Sequence, residues 1–394
     1  MRNSIIGGLT ADGPLKSVDA RTTDVQGRVD IAGGLAGLAL GDCADSEIFL
    51  HTGGALANAT LQAALTFGRL SECRLVGGDV PIKSLSAVEW LDDDGTADVL
   101  TARWLGTLTI TGRKGLAPLD GDFEADLALT ATNAKGVSLG TFKAAGAIGG
   151  SAWALAGSAG AIKAGSTDAD WSAQFGGPAG LAGVTSITTT LGQLSGTITA
   201  WSIGSVTAKT DLKSATLDLK RPLDARLLAL GKLTAGRWID AATITSDAKI
   251  GTITAGGMKN SVIFAGVNTV RNVEGAMDGD GSVMDLPLAA DLSADTLASI
   301  KALTISGIKA DSGKGYKDSF INSNIAAASL GTISLAYAHL DADGVIDNGG
   351  VPFGLTGKTL TKLTYKDAIH KYTWKAGQAL PPWPDINDLK LRLG

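Results

Sequence analysis

Two clusters of aspartate are the residues in this chain best suited to chemistry. Asp92-Asp93-Asp94 runs into Gly95, and Asp341-Ala342-Asp343-Gly344 is followed by Asp347. Closely spaced carboxylates around a glycine turn can converge on one hard cation, and calcium is the natural candidate for an all-oxygen ligand set. The second cluster has the spacing of the middle of an EF-hand loop. His339 would stand at its first ligand position, however, and Gly350 where a bidentate glutamate belongs. Ordinary solvated turns and a weak structural calcium site both stay open, with Asp341, Asp343 and Asp347 as the ligands of the latter. No other cofactor is implied.

The eight tryptophans are the second candidate set. Trp201 and Trp238 each flank a recurring segment, so they are the pair to test as a ladder of indoles stacking on sugar rings. The alternative is that each tryptophan covers a corner or an end of the fold. Other chemistries find no support. His51, His339 and His370 are isolated and lack metal-ligand spacing. There is no Gly-x-Ser-x-Gly nucleophile elbow. Gly357-Lys358-Thr359 has the ending of a phosphate loop, but Pro352 occupies the place of the required glycine. A glycosidase would need two carboxylates aimed at one cleft from neighbouring elements, and no such grouping is readable. The expectation is a protein with no catalytic residues.

The elements that must position these side chains announce themselves by repetition. A phrase of the form apolar-Gly-x-apolar, with x Thr, Ser or Lys, occurs at Leu105–Leu108, Leu139–Phe142, Ile203–Val206, Leu230–Leu233, Ile250–Ile253 and Leu330–Ile333. Weaker copies are readable at Leu15–Val18, Phe67–Leu70, Ile82–Leu85, Ile300–Leu303 and Leu360–Leu363. A second phrase follows at a nearly fixed offset: apolar, two variable residues, small, variable, apolar. It is seen at Leu212–Leu217, Ile239–Ile244, Met258–Ile263 and Phe320–Ile325, and earlier at Leu56–Leu61. Self-similarity of this kind marks a stacked repeat architecture.

Within the phrases apolar residues alternate with Thr, Ser, Lys and Asp, the period-two pattern of a strand with one face buried. Gly, Asp, Asn and Ser clusters between them supply sharp turns. A sandwich or barrel also uses short strands, but only a coil stacks equivalent positions so that each layer repeats the side-chain type below it. The expected fold is all-β, a parallel β-helix or β-solenoid. Right-handed winding is expected because no regular six-residue apolar period is present. At about 4.8 Å per layer, roughly 14 to 18 coils would make a rod on the order of 70 to 85 Å long.

The repeat runs through residues 1–370, with an irregular excursion over 267–297, and the proline-rich stretch 371–394 reads as a C-terminal cap. Fifty-three glycines and 5% aromatic residues suit a narrow core of small side chains. The net charge of −5, with Lys and Arg scattered singly, offers no basic face for nucleic acid. No apolar run approaches the roughly 20 residues that span a membrane. The first residues, MRNSIIGGLTADG, do not read as a signal peptide. They are expected to continue a longer parent chain or to cover the first coil. Aligning Ser46-Glu47-Ile48 with Ser71-Glu72-Cys73 places Cys73 at an inward position and Cys43 in a turn, so a disulfide between them is not the expected arrangement.

The stretch from Ile305 to Leu393 contains Phe320-Ile321-Asn322-Ser323-Asn324-Ile325, Leu330-Gly331-Thr332-Ile333, Asp347-Asn348-Gly349-Gly350 and Pro352-Phe353-Gly354. It resembles the C-terminal part of very large secreted β-strand-repeat proteins of environmental bacteria, and the Ile-Gly-Thr-Ile-Thr repeats upstream resemble the same group. The resemblance implies an extracellular or cell-surface location and supplies no activity. Together these readings predict a structural or adhesive section of a surface protein, acting as spacer or assembly scaffold. A carbohydrate-binding module and a polysaccharide lyase or hydrolase are the alternatives. Its partners would be other surface proteins, polysaccharide, or further copies meeting end to end.

Overall fold

A computed structural model of the chain describes residues 4–51, 62–115, 118–176, 183–222, 228–268, 286–295, 297–309, 316–317, 319–337, 353–366, 371–378 and 389–394. It divides into two units, Met1–Leu191 with Gly196–Ile198, and Gly192–Ser195 with Thr199–Gly394. Each is a parallel β-solenoid. No helix among the described residues is long and apolar enough to cross a membrane.

In the first unit the strands that carry the first phrase, Leu105–Ile110 and Val137–Ala144, belong to one column. Leu15–Ala20, Leu35–Leu40, Ala63–Thr66, Ile82–Ala87, Leu105–Ile110, Val137–Ala144, Ser158–Ala164 and Gly183–Thr189 pair in that order, all parallel. The degenerate copies at Leu15 and Ile82 lie in this column. The copy read at Phe67–Leu70 does not: it spans a corner between Ala63–Thr66 and the next strand, Arg69–Val76. In the second unit Ser202–Ala208, Leu230–Ala235, Ile250–Ala255, Ser299–Ile305 and the later halves of Asn324–Ala336 and Phe353–Lys366 stack in the same way. Register brings like over like. Val206, Leu233, Ile253, Leu303, Ile333 and Leu363 form one buried row, and Ile203, Leu230, Ile250, Ile300, Leu330 and Leu360 another.

The glycine of the first phrase is required by close coil contact. A Cβ on Gly140 would lie 2.2 Å from the carbonyl oxygen of Gly106, and one on Gly251 would lie 2.0 Å from that of Gly231. Both distances are far inside van der Waals contact, so the backbones approach this closely only where the side chain is absent.

The second phrase is not one straight strand. Its third residue, Ser214, Ala241, Asn260 or Asn322, has φ between +40° and +50° and bends the chain at a corner. This left-handed geometry disfavours most side chains but is tolerated by Asn. Asn322 also donates from Nδ2 to Oδ1 of Asn260 at 3.0 Å, linking two corners. Asp45 and Glu72 make the corresponding bend in the first unit, with φ of 47° and 53°. The following small residue points inward and closes the corner. Ser46 Oγ donates to the carbonyls of Val25 and Ala44, and Ser261 Oγ to those of Ile239 and Lys259.

Cys73 occupies this serine position. It pairs with Ser46, not with Ile48, and its thiol meets the carbonyls of Cys43 and Ser71. The sequence alignment was therefore two residues out of register, because the bend at Asp45 and Glu72 cannot be seen in a strand pattern. Cys43 and Cys73 are both buried free thiols. Burial pushes the Cys73 thiol up to about 12 and raises Cys43 as well, so neither is a ready nucleophile.

Of the excursion after Val262–Ala265, the described residues 286–295 return to the same unit. Leu292 packs on Val262, Phe264 and Ala326, which covers side chains that would otherwise face solvent. Beyond it, Lys371–Lys375 pairs antiparallel with residues 362–366, and Leu389–Leu393 pairs parallel with residues 353–357. Both lie along Phe353–Lys366.

Candidate functional site

Asp341, Asp343 and Asp347 lie outside the described residues. The first aspartate cluster is described, and folding adds to it. Glu89–Leu91 delivers the chain into the turn Asp92–Gly95, while Glu72 projects from the left-handed corner of Arg69–Val76 on the adjacent coil. One carboxylate oxygen each from Glu72, Asp92 and Asp94 lies within 4.8 Å of the others. Glu124 enters from the following coil, where its Oε2 accepts the Asp92 N–H at 3.0 Å. Asp93 faces Arg69, 3.6 Å away, and accepts from Ser71 Oγ at 3.1 Å. Arg69 also lies 3.4 Å from the buried Glu89.

This donor set is of the all-oxygen kind that suits a hard cation. The same carboxylates already hold the turn. Glu72 accepts the Asp93 N–H, Asp92 Oδ1 that of Gly95 at 3.1 Å, and Asp94 Oδ1 that of Thr96 at 2.6 Å. Elsewhere aspartates serve the stack in the same manner. Asp42, Asp122, Asp126 and Asp211 each accept a backbone N–H from the next coil. The sequence singled out Asp92–Asp94 but missed Glu72 and Glu124, because neither is near in the chain. Only the corner register aligns Glu72 with the turn.

Beneath this corner lies Asp98, 4% exposed. Trp90 Nε1 donates to its Oδ2 at 2.7 Å. Burial raises its pKa from 3.8 to about 6, with the charges of Glu72 and Asp92 adding to the rise and the Cys73 N–H and Trp90 opposing it. The folded chain thus holds this proton more tightly than the unfolded chain. The contribution to stability is complete below about pH 4 and is lost as pH rises through about 6. Asp98→Asn keeps an acceptor for Trp90 and removes the buried charge. It is expected to flatten the pH dependence of the melting temperature between pH 4 and 7 and to stabilise the chain at pH 7, on the order of 1 to 3 kcal/mol. Melting curves at both pH values check it; an unchanged slope would remove Asp98 from the account.

Trp201 and Trp238 do not form a ladder. Trp201 precedes Ser202–Ala208, in the first-phrase column, whereas Trp238 starts Trp238–Asp240, in the corner column. Both are half-buried. The Trp238 ring lies against Gly257 of the next coil, where a Cβ would come within 2.3 Å of it, and Lys259 Nζ stands 5.5 Å from the ring centre. Nor do the tryptophans simply cover corners and ends. Trp90, Trp153 and Trp171 are inside the first unit, in edge-to-face contact with Phe123, Phe142 or one another. Trp383 lies outside the described residues, as do His339 and His370.

Comparison with protein-family models, with curated proteins and with solved structures gave no match.

One surface feature escaped the sequence reading. Trp104, half-buried at the turn between Val99–Ala102 and Leu105–Ile110, lines a hollow of about 480 Å³ together with Arg103, Gln62 and the loop Thr132–Lys135. A second hollow of about 310 Å³ lies on later coils, lined in part by Thr130, Ala156 and Gln174.

Proposed function

We propose that this chain is a structural section of an extracellular or cell-surface protein, a stiff spacer or assembly scaffold that carries out no catalysis. The observation that supports this most is the in-register stacking of like side chains, as in the row from Val206 to Leu363. Such a row spends nearly every inward position on holding one coil to the next. Within a unit, each coil then depends chiefly on its neighbours, as expected of a repeat stack. The acidic corner fits the same reading, since its carboxylates bond the backbone of their own turn. The surface location rests on the resemblance of the C-terminal stretch to secreted β-strand-repeat proteins, and the partners it implies are other surface proteins or polysaccharide.

The test is small-angle X-ray scattering on the purified chain across a concentration series. The expected result is a rigid particle several times longer than wide, with melting temperature and scattering profile unaffected by small-molecule metabolites. A compact sphere, or the profile of a flexible string, would defeat the spacer reading.

A further inference from the structure

The hollow at Trp104 is built from groups that stacking does not consume. Trp104 uses its carbonyl for the coil, accepting the Ile82 N–H at 3.0 Å. Among the described residues its indole N–H has no partner, and neither Arg103 nor Lys135 has an acidic one. In a chain of net charge −5 this places two cations without an acidic partner among the described residues beside a half-buried aromatic ring.

The facing wall is preorganised. Asn133 Oδ1 accepts the N–H groups of Lys135 and Val137 at 2.8 and 3.2 Å. The Asn133 N–H and carbonyl bond Val137 and Gly136, and Gly136 takes φ +76° to close the loop. A wall already satisfied internally loses little freedom when a ligand arrives.

The second hollow lies at the ends of the strands that stack in turn on Val99–Ala102. Thr130 N–H bonds the Ala102 carbonyl, Ala156 N–H that of Leu129, and Gly176 N–H that of Leu155, so the residues after successive strands lie over one another. The surface from Arg103 to Gln174 therefore follows the coil axis. It can accommodate a linear polymer better than a compact metabolite.

We propose that this corner binds an acidic polysaccharide, with one hexuronate residue seated at Trp104. The apolar C–H face of a pyranose lies on the indole, whose amphipathic ring suits a surface that is apolar in one part and wet in another. Its carboxylate meets the Arg103 guanidinium, which can bond both oxygens, and Lys135 closes the other side. The volume at Trp104 lies in the range of small-ligand sites, roughly 300 to 1,000 Å³.

Isothermal titration of the full chain with trigalacturonate, maltotriose and oligothymidylate tests this. Trigalacturonate is expected to bind, maltotriose at least tenfold more weakly, and oligothymidylate not at all at 150 mM salt. Trp104→Ala should weaken trigalacturonate binding at least tenfold and Trp104→Phe much less. Arg103→Gln with Lys135→Gln should weaken it about tenfold, while both exposed side chains leave the melting temperature in place. Should Trp104→Ala lower the melting temperature, the charge-removal pair carries the test alone. Absence of binding at millimolar trigalacturonate overturns the proposal, as does equal affinity for maltotriose or oligothymidylate, or indifference to the charge-removal pair. Any of these leaves the spacer reading intact, because that reading is judged by scattering.

Discussion

Trp153→Ala is expected to destabilise the first unit by about 3 to 5 kcal/mol, the range for deleting a large aromatic ring from a packed core. Trp153 is the hub of the aromatic cluster. Its ring centre lies 4.8 Å from Phe142, 5.4 Å from Trp171 and 6.0 Å from Phe123, all near edge-to-face. These rings come from successive coils, so removing one opens a cavity on several layers at once. The change also deprives Ser151, 1% exposed, of the indole N–H that its Oγ accepts at 3.1 Å. An orphaned buried hydroxyl adds to the loss. Because each coil depends mainly on its neighbours, the effect should be local first. Hydrogen exchange should show lost protection over the strands Asp126–Leu129, Ala152–Leu155 and Ser172–Phe175 before the rest. Trp153→Phe should recover part of the stability, since it restores a ring without the N–H. Full retention of the melting temperature in Trp153→Ala would mean that the cluster does not form.

The second large effect is expected from Ile253→Asp. Ile253 is 1% exposed and sits between Leu233 and Leu303 in its row. A carboxylate there has no partner, and leaving a charge unpaired in an apolar stack costs several kcal/mol. Part of that cost is escaped by protonation, so the variant should lose more stability at pH 7 than at pH 4. Lys213→Ala is the control. Lys213 is exposed beside the corner of Leu212–Leu219, and its removal should change little. Urea melts of the three proteins at both pH values check the prediction. An unchanged midpoint for Ile253→Asp would show that the inward register of the repeat is misassigned.

The success of that register assignment explains how much of the fold was legible. Alternation in Leu105–Ile110 or Ile250–Ile253 names the inward residues, because a strand with one buried face has a period of two. Recurrence of the phrase names their neighbours, because a coil sets like over like. The bend within the second phrase was not legible. Ser214, Ala241, Asn260 and Asn322 differ in type, and a single left-handed residue leaves no periodic trace. That omission displaced Cys73 by two positions.

The sites divide along the same line. Asp92, Asp93 and Asp94 were visible as neighbours in the chain, but their relation to Glu72, Glu124 and Asp98 depends on which coil lies against which. Trp201 and Trp238 were paired because each flanks a repeat, yet they belong to different columns. Arg103, Trp104 and Lys135 drew no attention as a group, since a turn and a loop on separate coils bring them together. By itself the sequence determined the parallel solenoid and its inward rows, because these follow from short-range alternation and repetition. Only the tertiary structure decided the corners, the aromatic core and the hollow at Trp104. Those depend on the unequal lengths of the turns between strands, which set which residues of one coil pair with the next, as close as Val25 with Cys43 or as far as Val262 with Asn324.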